Sequence, residues 1–196
     1  TEITDPQNSS ITGRYVEIYN ITESDIDLST GYALQSWTND KTEPQSPFWL
    51  SGIIPAKGFY VVCNDATKFL TTYGIDASLD GRGTGAVNSN GDDNIALLDP
   101  TGKIIDMFGV PGEHGTGTGH EFGDGRAVRV CGTMPSATWN EADWIIDNDS
   151  GGGDGNQYAP EDFNPFSWTN GDSSCISEPE PEPEPEPPLF HLKKKI

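Results

Sequence analysis

Residues 94–108, NIALLDPTGKIIDMF, leave the backbone few choices. Two apolar runs of strand length flank Asp99-Pro-Thr-Gly102, where the Asp99 side chain caps the turn, Pro100 presets φ and Gly102 accepts a positive φ. The stretch reads as strand, turn, strand. A chain carrying such a hairpin is expected to be largely β, and its composition agrees. With 23 Gly and 15 Pro among 196 residues and 33% apolar residues, it favours short strands joined by turns over long helices.

RYVEIYN (14–20) sets Tyr15, Glu17 and Tyr19 against Val16 and Ile18, the period of a half-buried strand. The segment from Ile26 to Asp40 predicts a second strand with Leu34 and Trp37 as core anchors. Residues 46–65 give two more strands, split by the Pro55-Ala-Lys-Gly58 turn. ATKFLTTYG (66–74) is the one helix-like piece, two turns closed by Gly74. A last strand begins near Arg126, after the Asp124-Gly125 turn. About seven short strands at intervals of roughly 8 to 12 residues predict a β-sandwich.

Residues 132–177 lose the alternation but keep Trp139, Trp144, Tyr158, Phe163, Phe166 and Trp168, too many rings for disorder. They are expected to form a long coil packed on the sandwich. Residues 178–188, EPEPEPEPEPP, predict a polyproline II spacer, and 189–196, LFHLKKKI, a short apolar and basic tail. That tail has two readings, a strand donated to a neighbouring copy or the connection to a further domain, and we favour the second.

Four segments in order, RYVEIYN, DLSTGYAL, IIPAKGFYVVCN and GDDNIALLDPTGKIIDMFGVPG, resemble the lamin tail domain over about residues 1–131. The resemblance implies an immunoglobulin-like β-sandwich without a catalytic motif, of the kind found in modules on secreted or surface proteins of bacteria and algae, sometimes attached to hydrolases. The nuclear branch of the family fits less well. No heptad-repeat rod precedes the domain, and an aromatic coil with two cysteines follows it.

The formal charge is −20. Residues 176–196 hold five of the 31 acids and three of the 11 bases, which leaves 26 against 8 in the body. Such a surface repels phosphate backbones, so direct nucleic-acid binding is not expected. No stretch reaches the roughly 20 apolar residues of a membrane span, and the chain opens at Thr1 without Met, as a processed fragment does.

Of three cysteines, Cys63 lies in an apolar strand and needs no partner. Cys131 and Cys175 bracket the Gly- and Asp-rich coil, and a disulfide between them removes much chain entropy. That pairing predicts an oxidising compartment, secreted or at the cell surface. Asn8, Asn20 and Asn148 head glycosylation sequons if the source secretes through a glycosylating pathway.

Two acidic segments invite a metal reading. Asn90, Asp92 and Asp93 stand in a run from Asn88 to Asn94, and Asp147, Asp149 and Asp154 surround three glycines. Hard cations want several oxygens from one flexible segment, which makes Ca²⁺ the cofactor to consider. Neither segment has EF-hand spacing, and turn chemistry accounts for the same residues. His114, His120, Glu113, Glu121 and Asp124 suggest acid–base or zinc chemistry, but neighbours such as His120 and Glu121 point to opposite faces of an extended chain. No nucleophile elbow, His-Glu-x-x-His helix or phosphate loop occurs.

The expected function is a non-catalytic extracellular or cell-surface module. It would bind a protein or a cell-surface polymer through loops at one end of the sandwich, with self-association through 189–196 as a further option. The alternative is an accessory region of a secreted nuclease or phosphatase whose catalytic domain lies elsewhere.

Overall fold

The computed structural model describes residues 1–7, 11–149, 158–170 and 173–176. Asn8, Asp154, the spacer and the tail lie outside the described residues. In chain order the strands are β1 (Glu2–Thr4), β2 (Tyr15–Tyr19), β3 (Ile26–Asp27), β4 (Ala33–Trp37), β5 (Phe48–Trp49), β6 (Ile53–Ile54) and β7 (Phe59–Cys63). Then come α1 (Ala66–Tyr73), β8 (Leu79–Asp80), β9 (Asn94–Leu98), β10 (Ile104–Phe108), β11 (Arg126–Arg129), β12 (Trp144–Asp147), β13 (Thr169–Asn170) and β14 (Ser173–Ser174).

A six-stranded sheet runs β12-β11-β1-β2-β7-β8 and a four-stranded sheet β10-β9-β4-β5, antiparallel except for β7 with β8. Period-two alternation fills the space between them. Ile3, Val16, Tyr60, Val62 and Ala127 face inward from the larger sheet and meet Leu34, Ile95 and Phe108 from the smaller one. Burial of each large apolar side chain contributes roughly 1.5–3 kcal/mol. The fold is an all-β, immunoglobulin-like sandwich.

The outward residues of the larger sheet are also buried. Tyr15, Val61 and Cys63 are covered by Phe69 of α1 and by Phe163 of the C-terminal coil. The helix forms where the sequence places it, with the Asp65 side chain accepting from Lys68 N–H at 2.9 Å and Gly74 ending it in the left-handed region. It turns Phe69 and Tyr73 toward Tyr15, whose ring meets each edge-on at 5.9 Å.

Three departures from the expected strands have physical causes. The 46–54 run breaks at Gly52, φ +87°, so its halves enter different sheets as β5 and β6. Residues 132–177 are not all coil, because Trp144–Asp147 pairs in full register with β11. Finally, β1 carries a single apolar residue and is held by two neighbours at once.

The hairpin forms as read, with Asp99 Oδ1 accepting from Thr101 N–H and Lys103 N–H at 2.8 and 3.0 Å. These bonds, with the Thr101 hydroxyl first, hold the Asp99 carboxyl below its ordinary range. A bulge between Ile104 and Asp106 resets the alternation and brings Asp106 opposite the inward-facing Leu97. Arg129 shares the inward parity of Ala127, so the two charges meet between the sheets. Arg129 Nη2 lies 2.6 and 2.5 Å from the two Asp106 oxygens, and its guanidinium stacks on Trp144 at 4.4 Å.

Candidate functional site

The Asn- and Asp-rich stretch before β9 lies where several loops meet at one end of the sandwich. Asn88 is held from outside: Arg14 Nη1 donates to its carbonyl at 2.8 Å, and Asn64 Nδ2 donates to its side-chain oxygen at 2.8 Å. Arg14 also pairs with buried Asp5 at 2.7 Å. Asp93 accepts from Asn39 N–H at 2.9 Å. The Asn94 amide nitrogen donates to the carbonyls of Asn39 and Glu113, at 3.2 and 3.1 Å. Backbone bonds from Gly115 to Asp92 and from Phe122 to Gly91 bring in the loop between β10 and β11. Gly91, φ +91°, packs so tightly on Gly123 that no side chain fits there.

The six residues expected as metal ligands therefore go to different places. Asn90 is exposed. Asp93 turns into the interior, where loss of hydration raises its carboxyl pKa against the lowering by its hydrogen bonds. Asp147 faces Arg126 Nε at 3.4 Å. Asp149 donates its backbone N–H to Gly123 O, which sets the second acidic segment beside the first. Asp154 lies outside the described residues. Among the described residues no three His, Cys, Asp or Glu side chains gather where a metal ion would sit. Asp92 differs from the others: one oxygen is 3.7 Å from His114 Nε2, and the other is buried without a hydrogen-bond partner.

Asn20 does not present a glycan acceptor in this fold, which corrects that expectation. It is buried, and the amide nitrogen a sugar would occupy donates to the carbonyls of Ser24, Ile54 and Pro55. Its side-chain oxygen accepts from Thr22, so the sequon is an Asx turn. Asn148 is half-buried beside a shallow groove lined by Glu121, Asn140, Glu141 and Trp144.

Cys63 is a free, buried thiol whose pKa burial pushes up to about 11, which makes it inert. Cys131 and Cys175 form a disulfide across a sequence separation of 44, with Cα atoms 5.0 Å apart. The pairing has local support, since Cys175 N–H donates to Trp168 O and Trp168 Nε1 donates to Arg129 O at 2.6 Å. Replacing both cysteines by Ser should cost about 2–4 kcal/mol of stability. Chemical denaturation of the two forms measures this, and Trp168 fluorescence reports release of the coil.

A second concavity lies between the sheets, a cavity of about 210 Å³. Ile18, Leu34, Ile95, Leu97 and Phe108 line it, with Arg129 and Asp106 at its margin already paired to each other. Thr1 and Glu17 also line it, the Thr1 hydroxyl donating to Glu17 Oε1 and the Thr1 amino group to the Glu17 carbonyl, each at 2.7 Å.

With the sandwich, the helix cover and the hairpin in place, comparison with known families decides the kinship. The sequence model of the Lamin Tail Domain matches residues 1–112. The chain belongs to the lamin tail domain family. That family is non-catalytic and immunoglobulin-like. No curated protein matches the chain. The match ends within the loop after β10, so β11, β12 and the stapled coil lie outside the matched segment. Sequence reasoning passed over Trp49, 61% exposed, and Ile53, 60% exposed, which leave β5 and β6 outward. They stand on either side of Gly52, Trp49 on β5 and Ile53 on β6.

Proposed function

We propose that this lamin tail domain is a non-catalytic binding and assembly module displayed outside the cell, and that it engages a partner protein through the 48–54 segment. The observation that carries the reading is the exposure of Trp49 on β5, which ends the four-stranded sheet, and of Ile53 on β6, the neighbouring strand of the two-stranded β3-β6 sheet. An edge strand offers unpaired backbone groups to an added strand, and an exposed Trp supplies a large anchor of the kind that dominates interfaces. Glu23, Asp25 and Asp27 stand near the same region through the pairing of β3 with β6, which favours a partner with basic residues at its rim. The Cys131–Cys175 disulfide supports an oxidising compartment.

Labelled module should bind intact cells of its source, and Trp49→Ala with Ile53→Ala should weaken that binding about tenfold or more while leaving the melting temperature nearly unchanged. Binding abolished by removing surface polymer but untouched by protease would replace the protein partner with a polymer. Binding indifferent to both substitutions overturns the interface. Recovery of Cys131 and Cys175 as free thiols from the natural protein overturns the extracellular assignment.

A further inference from the structure

Three of the buried polar atoms without a hydrogen-bond partner in the protein belong to the same loop cluster: Asp92 Oδ1, Asn94 Oδ1 and His120 Nε2. Asn94 is 0% exposed and His120 1%. Asp92 stands in a bend two residues before Asn94, and its carbonyl accepts from Gly115 N–H in the loop that carries His120. Asn94 and His120 meet across Gly109, φ +81°. A Cβ there would overlap Asn94 Oδ1 and stand 3.0 Å from His120 Cδ2, so only glycine lets both side chains pack against this backbone.

The hydrogen positions follow from the neighbours. The Thr118 hydroxyl donates to Gly115 O at 2.6 Å and has no second hydrogen, so at its 3.0 Å contact with His120 Nδ1 the imidazole is the donor. His120 Nε2 therefore carries a lone pair. Asn94 uses both hydrogens of its amide on Asn39 and Glu113, which fixes its oxygen as the atom set against Gly109 beside His120. Asp92 Oδ1 adds a third unpartnered atom, while its Oδ2 faces His114 Nε2 at 3.7 Å. The cluster thus presents three acceptors and no hydrogen, while a water molecule has only two hydrogens to give and a cation satisfies all three. The negative charges of Glu113, Asp92 and Glu121 around His120 favour a cation further.

We infer that Asp92, Asn94 and His120 form a site for a divalent transition-metal ion of the zinc class, with His114 at its rim. One imidazole nitrogen with two oxygens suits Zn²⁺ or its first-row neighbours better than Ca²⁺, which prefers an all-oxygen shell. The third donor is a carboxamide, so the set contains only two of the His, Cys, Asp and Glu side chains that usually mark such a centre. The bound ion ties the entry to β9 to the 109–122 loop. The site stands on observations separate from the interface at Trp49.

The test uses the full chain freed of metal by chelation. Zinc chloride should bind at one equivalent and raise the melting temperature by about 5 °C or more at saturation, and calcium chloride at the same concentration should not. Asp92→Asn and His120→Gln should each weaken zinc binding about tenfold or more, with His191→Gln as a neutral control. In case either variant folds poorly, long-range ¹H–¹⁵N spectra of the wild-type chain give an independent reading: zinc should shift His120 Nε2 and leave Nδ1 protonated. Absence of zinc binding below millimolar concentration, unchanged affinity in both variants, or a His120 resonance indifferent to zinc would each overturn the site. A preference for calcium would overturn the metal class.

Discussion

Asp106→Ala is expected to lower the unfolding free energy by about 3 kcal/mol, and the melting temperature by roughly 10 °C. Arg129 is buried between the sheets and stacked on Trp144, and its guanidinium is neutralised by both oxygens of Asp106. Removing the carboxylate leaves that charge with one carbonyl contact, to Met134 at 3.3 Å. Breaking a buried pair costs about 3–5 kcal/mol, and the lower end applies because the Asp106 side chain is 24% exposed. Asp106 also accepts from Ser136 N–H at 3.1 Å, so the same substitution loosens the chain leaving β11.

The second half of the prediction separates a clamp from a mere contact. Asp106→Leu together with Arg129→Met removes both charges and keeps apolar volume, and should recover most of the loss. Urea unfolding of the single and double variants at pH 7 measures both. A single-variant cost below about 1 kcal/mol, or a double variant as unstable as the single, would remove the pair from any structural role.

That pair shows where the sequence stops being legible. The hairpin was readable because Asp99, Pro100 and Gly102 are local instructions, and so was α1, closed by Gly74, although its cap at Asp65 was not read. The bulge that aims Asp106 inward has no such signature. It becomes visible only in the register with β9. β1 and β12 were missed for a related reason, since neither has the apolar alternation of an independent strand and both form by pairing with β11.

The candidate site divides in the same way. The Asn and Asp residues before β9 were legible as oxygen-rich and turn-prone. Asp93 turning inward and Asp92 being left with a free oxygen depend on Asn39 and the 109–115 loop, far away in sequence. His120 stands in a turn rather than a strand, and Glu121 accepts from Gly117 N–H. Local argument did not reach Asn94, which His120 meets across Gly109.

Acidification from pH 8 to pH 5 is expected to stabilise the protein, with Glu17 contributing about 3 kcal/mol. Glu17 is 1% exposed on the covered face of the larger sheet, directly opposite Glu2 in the β1–β2 register. Burial, and then the neighbouring Glu2, push its carboxyl from 4.5 up to about 7, against the lowering by hydrogen bonds from Thr1 and Phe166. Burial also raises Glu2, which Tyr15 and Arg126 satisfy, and lifts Asp5 to about 6 beside Arg14.

A carboxyl whose folded pKa lies above its unfolded value holds more protons in the native state. Its contribution is fully present below about pH 4.5 and is lost as pH rises through about 7. General repulsion within a chain of charge −20 has the same sign, but salt distinguishes the two. Raising ionic strength from 0.1 M to 1 M shortens the screening length from about 10 Å to 3 Å, which weakens repulsion between exposed charges and leaves a buried carboxyl largely untouched. Glu17→Gln should therefore flatten the pH 5–8 dependence at high salt and raise stability at pH 8. A wild-type profile that is flat at 1 M salt would show that the Glu2–Glu17 pair is hydrated, and that the aromatic coil does not seal this face of the sheet.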